Sequence, residues 1–372
     1  MNRILTVFST LLFASAVLAS AQAQSDALVK QDFKDSEGGW TVFGQSAKVA
    51  VSHDPAIVSP GNGALKFDYD VKKGEFNALV FPVTQGTLTR AKSLKFRART
   101  DATTMLAVML QERDGGRYVA ICTVPHDKWQ PIELSTDDFA LSQDKGDPKD
   151  PDGKLDMDQV STIAIGDVAQ VLAQNDDPNL SSLLSVKTGS HSLYIDGFSV
   201  TADSIAPSST SSKAGTNIDT FAHPQLAWYG IGGAELSISS GKPLDGQGLK
   251  VDYRQAPNKL VMVTRAISPG SIGGTNFLVF DAASLESAKL MVQVEDIDGN
   301  KFNSIVEVPG GSQLKHLNIP FDDFKVTDDS KDPNGKLDLK KVKSLLIIDL
   351  SGAQDQADHD NTLWINHVVA HT

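Results

Sequence analysis

Gly63-Ala64-Leu65-Lys66-Phe67-Asp68-Tyr69 and Gln247-Gly248-Leu249-Lys250-Val251-Asp252-Tyr253 are one short pattern written twice in the same chain. The two tyrosines lie 184 positions apart. Working outward at that offset, Leu94 and Phe96 meet Leu278 and Phe280, Asp114-Gly115 meets Asp298-Gly299, and Val124-Pro125 meets Val308-Pro309. With shifted offsets, Asp137-Asp138-Phe139 meets Asp322-Asp323-Phe324, and Asp150-Pro-Asp-Gly-Lys-Leu-Asp156 meets Asp332-Pro-Asn-Gly-Lys-Leu-Asp338. Leu193-Tyr194-Ile195-Asp196 meets Leu363-Trp364-Ile365-Asn366, and Phe33 and Trp40 meet Phe221 and Trp228. So many matches in one order mark an internal duplication.

Within each copy the side chains alternate. Leu94, Phe96 and Ala98 point one way, and Lys95, Arg97 and Arg99 the other. Leu106, Val108 and Leu110 alternate in the same way with Ala107, Met109 and Gln111. A period of two with one apolar row describes half-buried antiparallel strands. Arg113-Asp114-Gly115-Gly116 and Asp298-Gly299-Asn300 supply hairpin turns, because Gly and Asn accept positive φ. Many short strands with regular turns give an all-β fold of two tandem antiparallel β-sandwich domains of the jelly-roll kind. Ala202 to Asn217 is rich in Ser, Thr, Pro and Gly and reads as a flexible linker. The domains are therefore expected at 26–201 and 218–372.

The start of the chain reads differently. Arg3 precedes an apolar run from Ile4 to Leu18, then small residues from Ala19 to Ala23, with Ala21-Gln22-Ala23 as a cleavage site. That order is the pattern of a secretory signal peptide over 1–23. The run is short for a membrane anchor, and Ser and Thr interrupt it. The expected location is secreted or periplasmic, with no membrane span in the mature chain. Cys122 is the only cysteine, so no internal disulfide forms, and its apolar neighbours place it in a core. The formal charge of −12, from 34 basic and 46 acidic residues, argues against nucleic acid as a partner.

Together the early Asp32-Phe33, Trp40, the Gly-x-x-Leu-Lys-x-Asp-Tyr strand, the Leu-x-Phe-x-Ala strand and the closing Leu-aromatic-Ile-Asp/Asn strand resemble the galactose-binding-like jelly roll. That fold occurs in carbohydrate-binding module family eleven and in the complex-I intermediate-associated domain. The resemblance covers nearly all of both copies. It implies a sandwich in which many members bind glycan on a concave sheet face and many carry a structural calcium, while others bind protein. A calcium of that kind would join the first and last strands, which nominates Asp32 and Asp196 in the first copy and Asp219 and Asn366 in the second. The Asp150–Asp156 loop has oxygen ligands at some EF-hand positions, but Pro148 and Gln159 occupy the first and last, so it reads as an acidic turn.

The outward row of the first copy presents Lys95, Arg97, Arg99, Gln111 and Arg113. Guanidinium forks bind carboxylates at two points. Phe76, Asn77 and Tyr118 would add a stacking plane and an amide, and sugars need both an apolar ring face and fixed polar groups. The matching outer positions of the second copy include Val279, Asp281, Ala283 and Glu295, so the basic stripe is lost there. Trp40, Trp228, Tyr69, Tyr253, Tyr194 and Trp364 recur at matched places and are expected to fill matched cores, whereas Trp129 is unmatched and freer to face a ligand. No nucleophile elbow or phosphate-binding loop is present, which argues against an enzyme. The expectation is an exported, non-catalytic protein that holds a polysaccharide or oligosaccharide on the outer concave sheet face of domain 1. A structural module binding a protein partner stays open, and so does a polysaccharide-active enzyme.

Overall fold

The structure is a computed structural model that describes residues 27–59, 61–142, 146–174, 186–328, 330, 332 and 334–372. The leader reading at 1–23 lies outside the described residues. The chain divides into two compact units, Met1–Pro207 and Ser208–Thr372.

The first unit carries β1 (Ala27–Gln31), β2 (Thr41–Phe43), β3 (Lys48–Ser52), β4 (Ala64–Val71), β5 (Ala78–Pro82), β6 (Ser93–Thr100), β7 (Thr104–Glu112), β8 (Arg117–Val124), β9 (Gln130–Ser135), β10 (Ala140–Leu141), β11 (Val160–Asp167) and β12 (Gly189–Thr201). They form two six-stranded antiparallel sheets. The first runs β3-β4-β12-β6-β9, with β1 also paired to β12. The second runs β10-β8-β7-β11-β5-β2. The long β12 serves two partners on one edge, β4 with its first half and β1 with its second.

The alternation read from sequence sets which row is hidden. Leu94, Phe96 and Ala98 of β6 join Leu65, Phe67, Leu106, Val108, Leu110, Ile163 and Ile165 in one core between the two sheets. Fully burying such side chains contributes ~2 kcal/mol each. Trp40 packs in this core edge-on to Phe198, with ring centroids 4.9 Å apart. Cys122 is also in the core, and burial pushes its thiol up to about 12, which keeps it protonated and inert.

The second unit repeats the plan with β13 (Thr210–Ser212), β14 (Gly215–Asp219), β15 (Trp228–Ile231), β16 (Glu235–Ser240), β17 (Gln247–Arg254), β18 (Val261–Ala266), β19 (Phe277–Ser284), β20 (Ala288–Asp296), β21 (Lys301–Val308), β22 (Lys315–Pro320), β23 (Lys325–Val326), β24 (Val342–Asp349) and β25 (Asp360–His371). One sheet places β25 between β17 and β19, with β22 beyond β19 and β14 also on β25. The other runs β15-β18-β24-β20-β21-β23. Trp228, Leu249, Val251, Phe280, Val292 and Ile365 sit in the core between them.

Part of the stretch read as linker is structured. Thr210–Ser212 pairs with Gly215–Asn217, and β14 in turn pairs with Val368–His371. Ile218 is buried there, so a Ser/Thr-rich composition has concealed the opening hairpin of the second domain.

A Tyr–Asp pair recurs in both copies. Tyr69 donates to Asp167 at 2.8 Å, and Tyr253 donates to Asp349 at 2.6 Å. The other carboxylate oxygen accepts the amide of Ala169 or of Ser351. Each aspartate thereby fixes the start of a one-turn helix, α1 (Ala169–Leu172) and α2 (Ser351–Gln354). Tyr69, Tyr253, Trp40 and Trp228 thus occupy matched cores. Tyr194 and Trp364 do not: each lies between two core residues of its strand and stands half-buried on the outer face of its sheet.

Candidate functional site

The parity of β6 puts Lys95, Arg97 and Arg99 in a row on the outer face of the first sheet. The row is not a free basic stripe. Lys95 meets Glu133 on β9 at 3.6 Å, Arg97 is ion-paired with Asp196 on β12, and Arg99 lies 3.5 Å from Asp127. Exposed pairs of this kind add little stability. What they do here is fix the direction of three long side chains and balance three cations with three anions.

Two half-buried aromatic rings share that face. The Arg97 guanidinium carbon lies 5.3 Å from the centroid of the Trp129 ring. The indole N–H donates to the Ile57 carbonyl at 3.0 Å, which sets the tilt of the ring. Tyr194 stands on β12 with Lys66 of β4 in register on one side and Arg99 of β6 on the other. The face therefore offers two ring surfaces bordered by pinned guanidinium and carboxylate groups.

The other nominated residues are not brought to this face. Gln111 belongs to β7 in the opposite sheet, where its amide donates to the carbonyls of Glu112 and Gly116 and its oxygen accepts from Arg117. Arg113 follows the end of that strand and donates to the carbonyls of Val83, Val160 and Gln159. Tyr118 is a core residue whose hydroxyl donates to Asp150. Phe76 and Asn77 are buried beside α1: Gln170 accepts from the Asn77 amide at 2.7 Å, and Phe76 packs with Val171. Alternation along one strand carries the row, but not the identity of the sheet that a distant strand joins. The missed residue is Tyr194. Its place between Leu193 and Ile195 already gave it outward parity.

The four residues nominated for calcium have other partners. Asp32 is exposed and accepts from the Lys34 amide, and Asp196 is ion-paired with Arg97. Asp219 accepts from the Trp228 indole at 3.0 Å and faces Arg265 at 3.3 Å. The Asn366 amide donates to the Asp245 carbonyl. Among the described residues no group of three or more His, Cys, Asp or Glu side chains is arranged to hold a metal ion. The repeated acidic motif folds as a turn, in which Asp150 Oδ1 accepts the amides of Asp152 and Gly153, and Asp332 Oδ1 those of Asn334 and Gly335.

The first motif also docks on the β7–β8 hairpin. Buried Glu112 accepts the Asp156 amide at 2.5 Å. Desolvation, followed by repulsion from Asp150, Asp114 and Asp156, pushes the Glu112 carboxyl up to about 7.

No family model matches the chain, and no curated protein matches it. Solved structures do. The family 11 carbohydrate-binding module of a Clostridium thermocellum cellulosomal cellulase is 20% identical over 43% of this chain and 96% of its own, with a TM-score of 0.33. The same kind of module, solved with a β-1,3-1,4-mixed-linked tetrasaccharide, is 21% identical over 43% of this chain and 97% of its own, with a TM-score of 0.33. A tandem pair of CBM22 modules from a Paenibacillus barcinonensis protein is 14% identical over 95% of this chain and 99% of its own, with a TM-score of 0.31. Among the described residues no helix is long and apolar enough to cross a membrane.

Proposed function

We propose that this chain is an exported, non-catalytic carbohydrate-binding protein, and that the outer face of the first sheet of domain 1 holds the ligand. The observation that carries this reading is the Trp129–Arg97–Asp196 arrangement beside Tyr194. Pyranose rings present an apolar face that stacks on aromatic side chains, and hydroxyl groups that need donors and acceptors held in place. The pinned guanidinium and carboxylate supply those. Because Lys95, Arg97 and Arg99 of β6 each face an acidic partner, the reading favours a neutral glycan over a polyuronate. The same pairing makes Asp196, Asp127 and Glu133 positioning groups for cations, which supports binding without turnover.

The test is affinity electrophoresis through gels containing a mixed-linkage β-glucan, a xylan or polygalacturonate. Retardation by a neutral polymer, weakened in Arg97→Ala and Trp129→Ala, is the expected result. Retardation by polygalacturonate alone, or unchanged migration of both variants, would refute the reading.

One observation favours a protein partner as well. Met262, Ile348, Met291 and Ile305 stand side by side across β18, β24, β20 and β21; Met262 and Ile348 are buried, Met291 is half-buried, and Ile305 at the end of the row is 52% exposed. That row lies on a different sheet, so Ile305→Glu leaves glycan retardation unchanged if the two activities are separate.

A further inference from the structure

The two domains differ in concert at one place on equivalent sheet faces. In domain 1, Arg97 lies in register with Asp196 on one side and Pro131 on the other. In domain 2, Asp281 occupies the place of Arg97, in register with Asn366 and His316. Gly197 of domain 1, with φ of 64°, is replaced by His367, with φ of 51°. That region of backbone space suits glycine, and a side chain with a Cβ persists there only where its surroundings hold it.

The surroundings are specific. Asp281 Oδ1 lies 2.7 Å from His316 Nδ1, and Oδ2 lies 2.7 Å from His367 Nδ1. One carboxylate thus bridges imidazoles from the two strands flanking its own. The Asp281 side chain is 12% exposed, whereas His316 and His367 are 66% and 57% exposed. Since the carboxylate accepts at both oxygens, each Nδ1 carries hydrogen, and each neutral ring keeps Nε2 as an acceptor. One register row away, Trp364 shares the outward parity, with Ala283 on one side and Lys250 on the other. Ala283 is fully buried at its side and the indole itself is half-buried. Lys250 is held by Asp252 at 2.7 Å.

We infer that this face of domain 2 is a second carbohydrate subsite, chemically distinct from that of domain 1. A neutral pyranose stacks on Trp364, donates hydroxyl hydrogens to Nε2 of His316 or His367, and borders the Lys250–Asp252 pair. The ligand class rests on the function proposed above; the place and its residues do not. His367 is kept in a glycine conformation because its ring, oriented by Asp281, is part of the site.

The experiment uses the full chain carrying Trp129→Ala, which removes the domain 1 platform, in the mixed-linkage β-glucan and xylan gels. Residual retardation is expected, and adding Trp364→Ala weakens it by about tenfold or more. His367→Gly also weakens it while the thermal midpoint of domain 2 holds or rises, because the backbone strain is relieved. That split separates a binding role from a folding one. If Trp129→Ala alone abolishes retardation, or Trp364→Ala changes nothing, the second subsite is wrong and the domain 1 site stands. If the wild-type chain is retarded by no neutral polymer, both readings fail.

Discussion

Glu112 and Asp167 show how much a single buried carboxyl can do in this fold. Desolvation raises Asp167 to about 6 and Glu112 to about 7, each above its value in an unfolded chain. A carboxyl whose folded pKa is raised binds its proton more tightly when folded. Its contribution is therefore most favourable at low pH and is lost as pH rises, between about 4 and 6 for Asp167 and between about 4.5 and 7 for Glu112. For fully buried Asp167 the loss is on the order of 3 kcal/mol. Glu112→Gln keeps an acceptor for the Asp156 amide but removes the charge, so it is expected to melt above wild type at pH ~8 and level with it near pH ~4.5. Equal differences at both pH values, in thermal scans followed by circular dichroism, would contradict this assignment. Trp129→Ala, by contrast, is expected to cost about 2 kcal/mol or more of glycan affinity in calorimetry, the size typical of a central aromatic contact. An unchanged binding constant would remove Trp129 from the site.

At the scale of elements, parity was legible and pairing was not. The alternation Leu94-Lys95-Phe96-Arg97-Ala98-Arg99 correctly gives the buried row and the displayed row of β6. It cannot say that Gln111 lies in the opposite sheet, because sheet membership depends on contacts remote in sequence. The duplication of Tyr194 and Trp364 points to core positions, but outer faces are duplicated as well as cores, and both rings stand on the outer face. The β13–β14 hairpin was hidden by composition, since Ser, Thr and Gly in an edge strand look like a linker. A fragment starting at Ser208 is expected to fold, whereas one starting at Thr220 loses β14 and buried Ile218. The loss is about 3 kcal/mol, or roughly 10 °C in melting temperature for a domain of this size. Equal midpoints for the two fragments would show that the hairpin contributes nothing.

At the scale of the molecule, the duplication gave the architecture, because two copies of one pattern must fold twice. The division falls at Pro207 and Ser208, so two separable unfolding transitions are expected by calorimetry, and each is expected to recur in the isolated unit. A single transition that neither fragment reproduces would contradict independent folding. The duplication does not repeat one set of displayed side chains. Arg97, Asp196 and Gly197 became Asp281, Asn366 and His367, which leaves the scaffold intact and changes the chemistry displayed on it.

The central claim, that domain 1 meets its ligand on the outer face of its first sheet, is tested most directly by N–H shift mapping. A neutral oligosaccharide is titrated into the isotope-labelled chain. Binding there moves the Trp129 indole signal and the amides around Arg97, Arg99, Tyr194 and Asp196. Movement confined instead to Phe43, Val80, Met109 and Val119 would place the ligand on the opposite sheet and contradict the account.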